Sequence, residues 1–205
     1  MSWLTAITLT KEDISLCGIL TPYQWHQAAW QCFPDAPDAK RDFLLRVNWL
    51  SNGCRAYILS RREPLQPDWC PVYGWAVREI PSGFLRHQNY YFDLLANPTR
   101  TLVVRDAAGK RVKNGKRIPL CRRDDQLRWL KDKAELHGFS LISNPVMDSA
   151  KSHMLCCKNS ISRILGVRFR GKLHVTNPER FSKAFYSGIG KSKAFGFGML
   201  MLQPC

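Results

Sequence analysis

Four glycines fall within the eleven residues 188–198 (GIGKSKAFGFG), and the apolar run 199–202 (MLML) follows at once. Glycine tolerates positive φ and lets backbone approach a neighbour closely. Such a string prescribes a flexible, bent loop rather than a helix or strand of its own. Residues 178–186 (PERFSKAFY) read as a helix opened by a proline, and residues 198–202 as a strand. The order is helix, glycine loop, strand. Successive N–H groups in such a turn make an anion-binding concavity. Gly188, Gly190, Lys191, Ser192 and Lys193 are therefore expected to bind phosphate, while Phe195 and Phe197 alternate with glycine and are expected to pack. A nucleotide-binding P-loop is excluded, because Phe185 occupies the first glycine's position and a P-loop runs from strand to helix.

Charge narrows the partner. The 205 residues carry a formal net charge of +15, yet residues 1–95 hold nine basic and nine acidic side chains. The whole excess lies in residues 96–205, with 22 basic against seven acidic. Confinement to one half points to a footprint for a polyanion, with nucleic acid the expected partner. Eight cysteines at 17, 32, 54, 70, 121, 156, 157 and 205 form no C-x-x-C pair, which reads as reduced thiols in a cytoplasmic protein without a zinc site. No apolar run approaches the ~20 residues a membrane helix needs, so no membrane association is expected.

The pattern along the chain predicts an α+β fold. Residues 3–9 read as a strand. Thr21, Pro22 and Gln24 open a helix as N-cap, N1 and N3 of a capping box, running to about Phe33. Residues 43–50 and 55–60 flank Ser51-Asn52-Gly53 as a hairpin. A short helix is expected around residues 73–79, a strand at 90–95, and a further strand at 102–104 leading into a basic loop at 105–119. Asp124 or Asp125 should cap a helix over 126–137 ended by Gly138. Strands at 139–143 and 167–175 follow, with an insertion between them. Two successive β-α-β-β-α-β units fit this order.

Within the first predicted helix, Trp25, Ala28, Ala29, Cys32 and Phe33 form a core stripe. His26 sits at its edge, with Tyr23 and Trp30 three and four residues away on the same side. A histidine so placed can serve packing or proton transfer. On the strand 167–175, Val167, Phe169, Leu173 and Val175 alternate with Arg168, Arg170, Lys172 and His174. Four ionisable groups on one face suit the phosphates of an RNA duplex, which is read largely through backbone and shape. Lys151, Lys158 and Arg163 precede this strand and are expected to complete the groove. The basic run 110–117 is a less specific candidate. Acidic residues are few and resemble caps or turn formers, unlike the converging carboxylates of a metal-dependent nuclease, so neither metal nor cofactor is expected.

Residues 188–202 resemble the glycine-rich segment of CRISPR repeat-processing endoribonucleases of the CasE type, in the RAMP superfamily. Residues 3–9 (WLTAITL), 23–26 (YQWH) and 91–100 (YFDLLANPTR) agree, in the family's order. The resemblance implies two tandem ferredoxin-like domains, residues 1–88 with the catalytic helix and residues 89–205 for RNA binding. It implies catalytic roles for His26 and Tyr23, and metal-independent cleavage of CRISPR precursor RNA at the base of the repeat stem-loop. The products would carry 5′-hydroxyl and 2′,3′-cyclic phosphate ends. The protein would then stay on the 3′ hairpin as a subunit of type I-E Cascade, beside its backbone protein. A non-catalytic subunit that only binds the RNA hairpin is the rival expectation. A DNA- or rRNA-binding structural protein would share the charge but give the His26 face no role.

Overall fold

Alternation of apolar side chains builds the first half around one antiparallel sheet in the computed structural model, which describes residues 1–34, 40–103, 105–106, 109–110, 115, 117–157 and 160–205. Strand β1 (Trp3–Thr10) leads through helices α1 (Lys11–Cys17) and α2 (Pro22–Trp30) to the hairpin β2 (Leu44–Leu50) and β3 (Gly53–Ser60), and β4 (Trp75–Glu79) completes the set. The spatial order is β2-β3-β1-β4, all neighbours antiparallel. Ile7, Leu9, Leu45, Cys54, Ala56 and Ile58 turn to the helical side. There they meet Trp25, Ala28, Ala29, Cys32 and Phe33 in one buried cluster, the stripe expected from helical spacing.

The second half repeats the plan. Its elements are β5 (Asn89–Ala96), β6 (Thr99–Thr101), β7 (Arg117–Pro119), α3 (Arg123–Leu136), β8 (Phe139–Leu141), β9 (Val146–Met147), β10 (Lys151–Cys157), β11 (Ser160–Val175), α4 (Pro178–Ser187) and β12 (Leu200–Pro204). The sheet runs β10-β11-β5-β12, with β8 and β9 also paired to β11. In both sheets the last strand lies beside the first and the third separates first from second, the ferredoxin-like order. Tyr90, Phe92, Leu94, Val167, Phe169 and Leu173 face Trp129, Leu130, Phe181 and Ala184 across this core.

Several expectations are corrected. Residues 73–79 form a 3-10 turn (Val72–Gly74) and then β4, so the second helix of the first unit is replaced by irregular chain. Pairing with β1 decides this, giving β4 its hydrogen bonds as a sheet edge. The strand expected at 102–104 is instead Thr99–Thr101, paired with β7; Val104 lies outside the described residues. Helix α3 starts one turn early, with Arg122 at its N-cap and no side-chain cap bond. Asp124 and Asp125 occupy its first turn, where carboxylates favour the positive end of the helix dipole. Rather than an insertion, residues 151–157 and 160–175 form the antiparallel pair β10 and β11, which extends the basic strand.

The sheets meet through Arg46 on β2. Its side chain is 1% exposed, and its guanidinium donates to the Asp93 carbonyl at 3.0 Å and to the Asp93 carboxylate at 2.8 Å. Arg168 on β11 donates to both oxygens of the same carboxylate. Leu44 and Leu59 pack there against Phe185 and Met199. Among the described residues no helix is long and apolar enough to cross a membrane.

Candidate active site and nucleic-acid interface

The catalytic candidates ride on α2, whose start is fixed as its sequence requires. The Gln24 N–H donates to Thr21 Oγ1 at 3.2 Å, and the Thr21 N–H donates back to Gln24 Oε1 at 2.9 Å. This capping box sets the helical phase that buries Trp25 and leaves Tyr23 and His26 half-buried at the edge of the core. The His26 ring lies among three aromatics: Trp30 at 6.4 Å between centroids, Phe43 at 6.3 Å and Phe195 at 6.5 Å. The Trp30 indole N–H donates to His26 Nε2 at 3.4 Å. Burial lowers the His26 pKa, and the charge of Arg41 lowers it further, so the ring is neutral near pH 7.

Phe195 belongs to the glycine segment, so that loop and the helix bearing His26 form one site. The loop is built rather than flexible. Gly188, Gly190, Gly196 and Gly198 all take positive φ, from +73° to +90°, and Ser192 joins them at +59°. The Ile189 N–H donates to the Gly198 carbonyl at 2.8 Å and the Gly198 N–H to the Leu95 carbonyl at 2.7 Å. Phe197 is buried and Phe195 packs partly buried beside it, as the alternation with glycine implied, and Ile189 and Met199 are buried as well. Lys191 is exposed, Ser192 Oγ accepts from Asn97 Nδ2 at 2.9 Å, and Lys193 Nζ donates to the Ser187 carbonyl at 2.7 Å. Desolvation lowers the Lys193 pKa, and the charges of Arg41 and Lys191 add to the effect. Three cations thus share one corner, and among the described residues none of them has a carboxylate partner. Charge of that kind invites an anion.

Arg41 was not singled out from sequence. It stands just before β2 with its guanidinium half-buried on the Phe43 carbonyl at 2.8 Å. The available signal was the pair Lys40-Arg41 in a half with no net charge.

The other predicted contacts lie elsewhere. Arg168, Arg170 and Lys172 share the open face of the second sheet, opposite Val167, Phe169 and Leu173, as alternation required. Each has a partner: Arg168 the Asp93 carboxylate, Arg170 the Asp148 carboxylate at 2.7 Å, and Lys172 the Tyr91 ring at 4.6 Å. Arg170 lines an open cavity of about 620 Å³ with Tyr91, Asp93 and Gln203. Exposed Lys151 and Arg163 lie on the β10–β11 pair, and β10 packs against α2. Lys158 lies outside the described residues, as do residues 111–114 and 116 of the basic run. Among the described residues no three His, Cys, Asp or Glu side chains gather as a metal site.

The loop geometry makes a prediction. A Cβ on Gly190 would lie 3.1 Å from the Trp129 ring at a φ of +87°. A side chain in that region costs about 1–2 kcal/mol. Gly190→Ala should therefore lower the unfolding midpoint and weaken retention of an RNA hairpin more than Lys191→Ala, which removes one exposed charge. Equal midpoints and affinities for the two variants would contradict a built loop.

Fold and site together define a tandem ferredoxin-like protein in which a helix histidine faces a cationic glycine loop. The profile of the CRISPR associated protein family matches residues 2–204, and the chain belongs to that family. It is 28% identical over 200 residues to the CRISPR system Cascade subunit CasE of Escherichia coli K12, covering 96% of this chain and 98% of the relative. It is 25% identical over 219 residues to the CRISPR-associated endoribonuclease Cse3 of Thermus thermophilus, covering 98% and 100%. The structure of Thermus thermophilus Cse3 bound to an RNA representing a pre-cleavage complex superposes with a TM-score of 0.76 at 25% identity, covering 99% of each chain.

Proposed function

We propose that this protein is a metal-independent CRISPR repeat endoribonuclease that cleaves precursor RNA at the base of the repeat stem-loop and remains on the 3′ hairpin as a Cascade subunit. The observation that carries the reading is the neutral His26 ring set against the loop whose Lys191 and Lys193 have no carboxylate partner among the described residues. RNA supplies its own nucleophile: the 2′-OH attacks the adjacent phosphorus and the bond to the 5′ oxygen breaks. One proton leaves the 2′ oxygen and one arrives at the 5′ oxygen. An imidazole suits either transfer, and Tyr23 on the same helix face is the second proton-bearing group. Arg41, Lys191 and Lys193 neutralise the scissile phosphate, while Lys151, Lys158, Arg163, Arg170 and Lys172 grip the stem. Arg168 serves the join between the sheets as well as the RNA. In this reading residues 1–88 carry the chemistry and residues 89–205 the hairpin, and the protein works in the cytoplasm. The curated relatives support it, one being named an endoribonuclease and the other a Cascade subunit.

Cleavage of a repeat RNA should persist in excess EDTA and yield a 2′,3′-cyclic phosphate, read by mass spectrometry of the 5′ fragment. Dependence on added magnesium or manganese, or a free 3′-hydroxyl, would defeat the proposal. Binding without any cut would favour the purely RNA-binding alternative.

A further inference from the structure

We propose that Trp30 is a positioning residue that fixes the tautomer of His26, leaving Nε2 as the unprotonated nitrogen and so making His26 the general base. The inference rests on the nuclease reading above. An indole N–H only donates. Its bond to His26 Nε2 at 3.4 Å therefore requires a lone pair on that nitrogen and places the ring proton on Nδ1. The two rings meet edge to face at 76°, so they do not stack and the indole meets the imidazole through the nitrogen contact. His26 Nδ1 is itself buried with no hydrogen-bond partner among the described residues, so nothing on that side competes to set the tautomer. Phe43 and Phe195 wall the remaining faces.

Groups packed around the ring push the same way. Helix α2 carries no Asp, Glu, Lys or Arg, and strand β10, packed against it, brings Lys151 and His153 but no carboxylate. Arg41, ahead of β2, disfavours an imidazolium by its charge. Lys193, on the turn that carries Phe195, interacts with Arg41 and adds no carboxylate. Protonating Nε2 would break the indole bond and place a third cation beside two others. The neutral ring with its lone pair on Nε2 is thus the form this pocket stabilises. The bond is long, so a 2′-OH arriving within ordinary hydrogen-bond distance displaces the indole from the lone pair. The 2′ oxygen then gives its proton to Nε2 as it attacks phosphorus. The Tyr23 phenol protonates the departing 5′ oxygen; afterwards the imidazolium releases its extra proton to water and the Tyr23 phenolate takes one up, which restores both side chains.

The test is ring-nitrogen NMR of the RNA-free protein, with His26 assigned by comparison with His26→Gln. Wild type should show a protonated Nδ1 and an unprotonated Nε2. Trp30→Phe, which keeps an aromatic ring but removes the donor, should show mixed tautomers and a higher His26 pKa. The acidic limb of its single-turnover cleavage profile should move up by roughly half to one pH unit, the size of one hydrogen bond made only to the neutral ring. RNA affinity should not change. A wild-type ring protonated on Nε2 would overturn the inference even if the variant failed to fold. So would a Trp30→Phe protein whose tautomer and pH profile match wild type. Wild-type protein that cuts no repeat RNA would instead sink the nuclease reading, with the tautomer still measurable.

Discussion

Replacing His26 by alanine should slow single-turnover cleavage by ~10²–10⁴, the usual contribution of a general acid–base group. RNA binding should stay within a few fold. The two effects separate because the ring is neutral and half-buried, its pKa lowered first by burial and then by Arg41. It therefore offers no charge to phosphate. The cations that do lie at Arg41, Lys191 and Lys193, which the substitution leaves in place. Cleavage rates and gel-shift affinities on the same RNA check both halves of the expectation. A His26→Ala protein that cuts at the wild-type rate would remove the catalytic assignment. Loss of cutting and binding together would make His26 a packing residue whose removal lets Phe195 and the loop collapse. Tyr23→Phe should cost less, since it deletes one hydroxyl and keeps the ring.

Much of this site was legible because its signals are local. Thr21, Pro22 and Gln24 specify a helix start without help from distant chain, and the phase they set places Tyr23, His26 and Trp30 together. The glycines announced positive φ, and five loop residues adopt it. A second capping box was legible and went unread: Thr10 and Asp13 exchange bonds at 3.2 and 2.8 Å, and Gly18 ends α1 at a φ of +65°. What local signals could not supply was pairing. Residues 75–79 carry no strong period, and β1 makes them a strand by lending hydrogen bonds from 70 residues away in sequence. The carboxylates were harder still. Nothing in the alternation of β11 says that the carboxylates of Asp93 and Asp148 reach Arg168 and Arg170, because neighbours on the adjoining chain depend on register. A face that reads as free positive charge is thus partly committed to the protein's own structure.

That commitment gives Asp93 the largest expected effect on stability. Asp93→Ala leaves the Arg46 guanidinium buried at 1% exposure without its carboxylate, holding only the backbone carbonyl of residue 93 and Asn48. Removing one partner of a buried pair costs ~3–5 kcal/mol, roughly 6–20 °C in midpoint for a domain of this size. Burial by itself would raise the Asp93 pKa. Hydrogen bonds from Arg168 and the charge and bonds of Arg46 outweigh it and hold the carboxyl below its ordinary 3.8. A depressed carboxylate contributes stability that is fully present above the unfolded pKa and is lost as pH falls through the lower folded value. Wild type should therefore lose this part of its stability only below about pH 4, whereas Asp93→Ala should lack it at pH 7. Arg46→Met with Asp93→Leu, which removes both charges, should recover much of the deficit, since paired apolar replacements at buried ion pairs are often neutral. Thermal unfolding at pH 7 and pH 3 separates the cases. An Asp93→Ala midpoint equal to wild type at pH 7 would mean that the carboxylate adds nothing to a join already held by the apolar contacts of Leu44, Leu59, Phe185 and Met199.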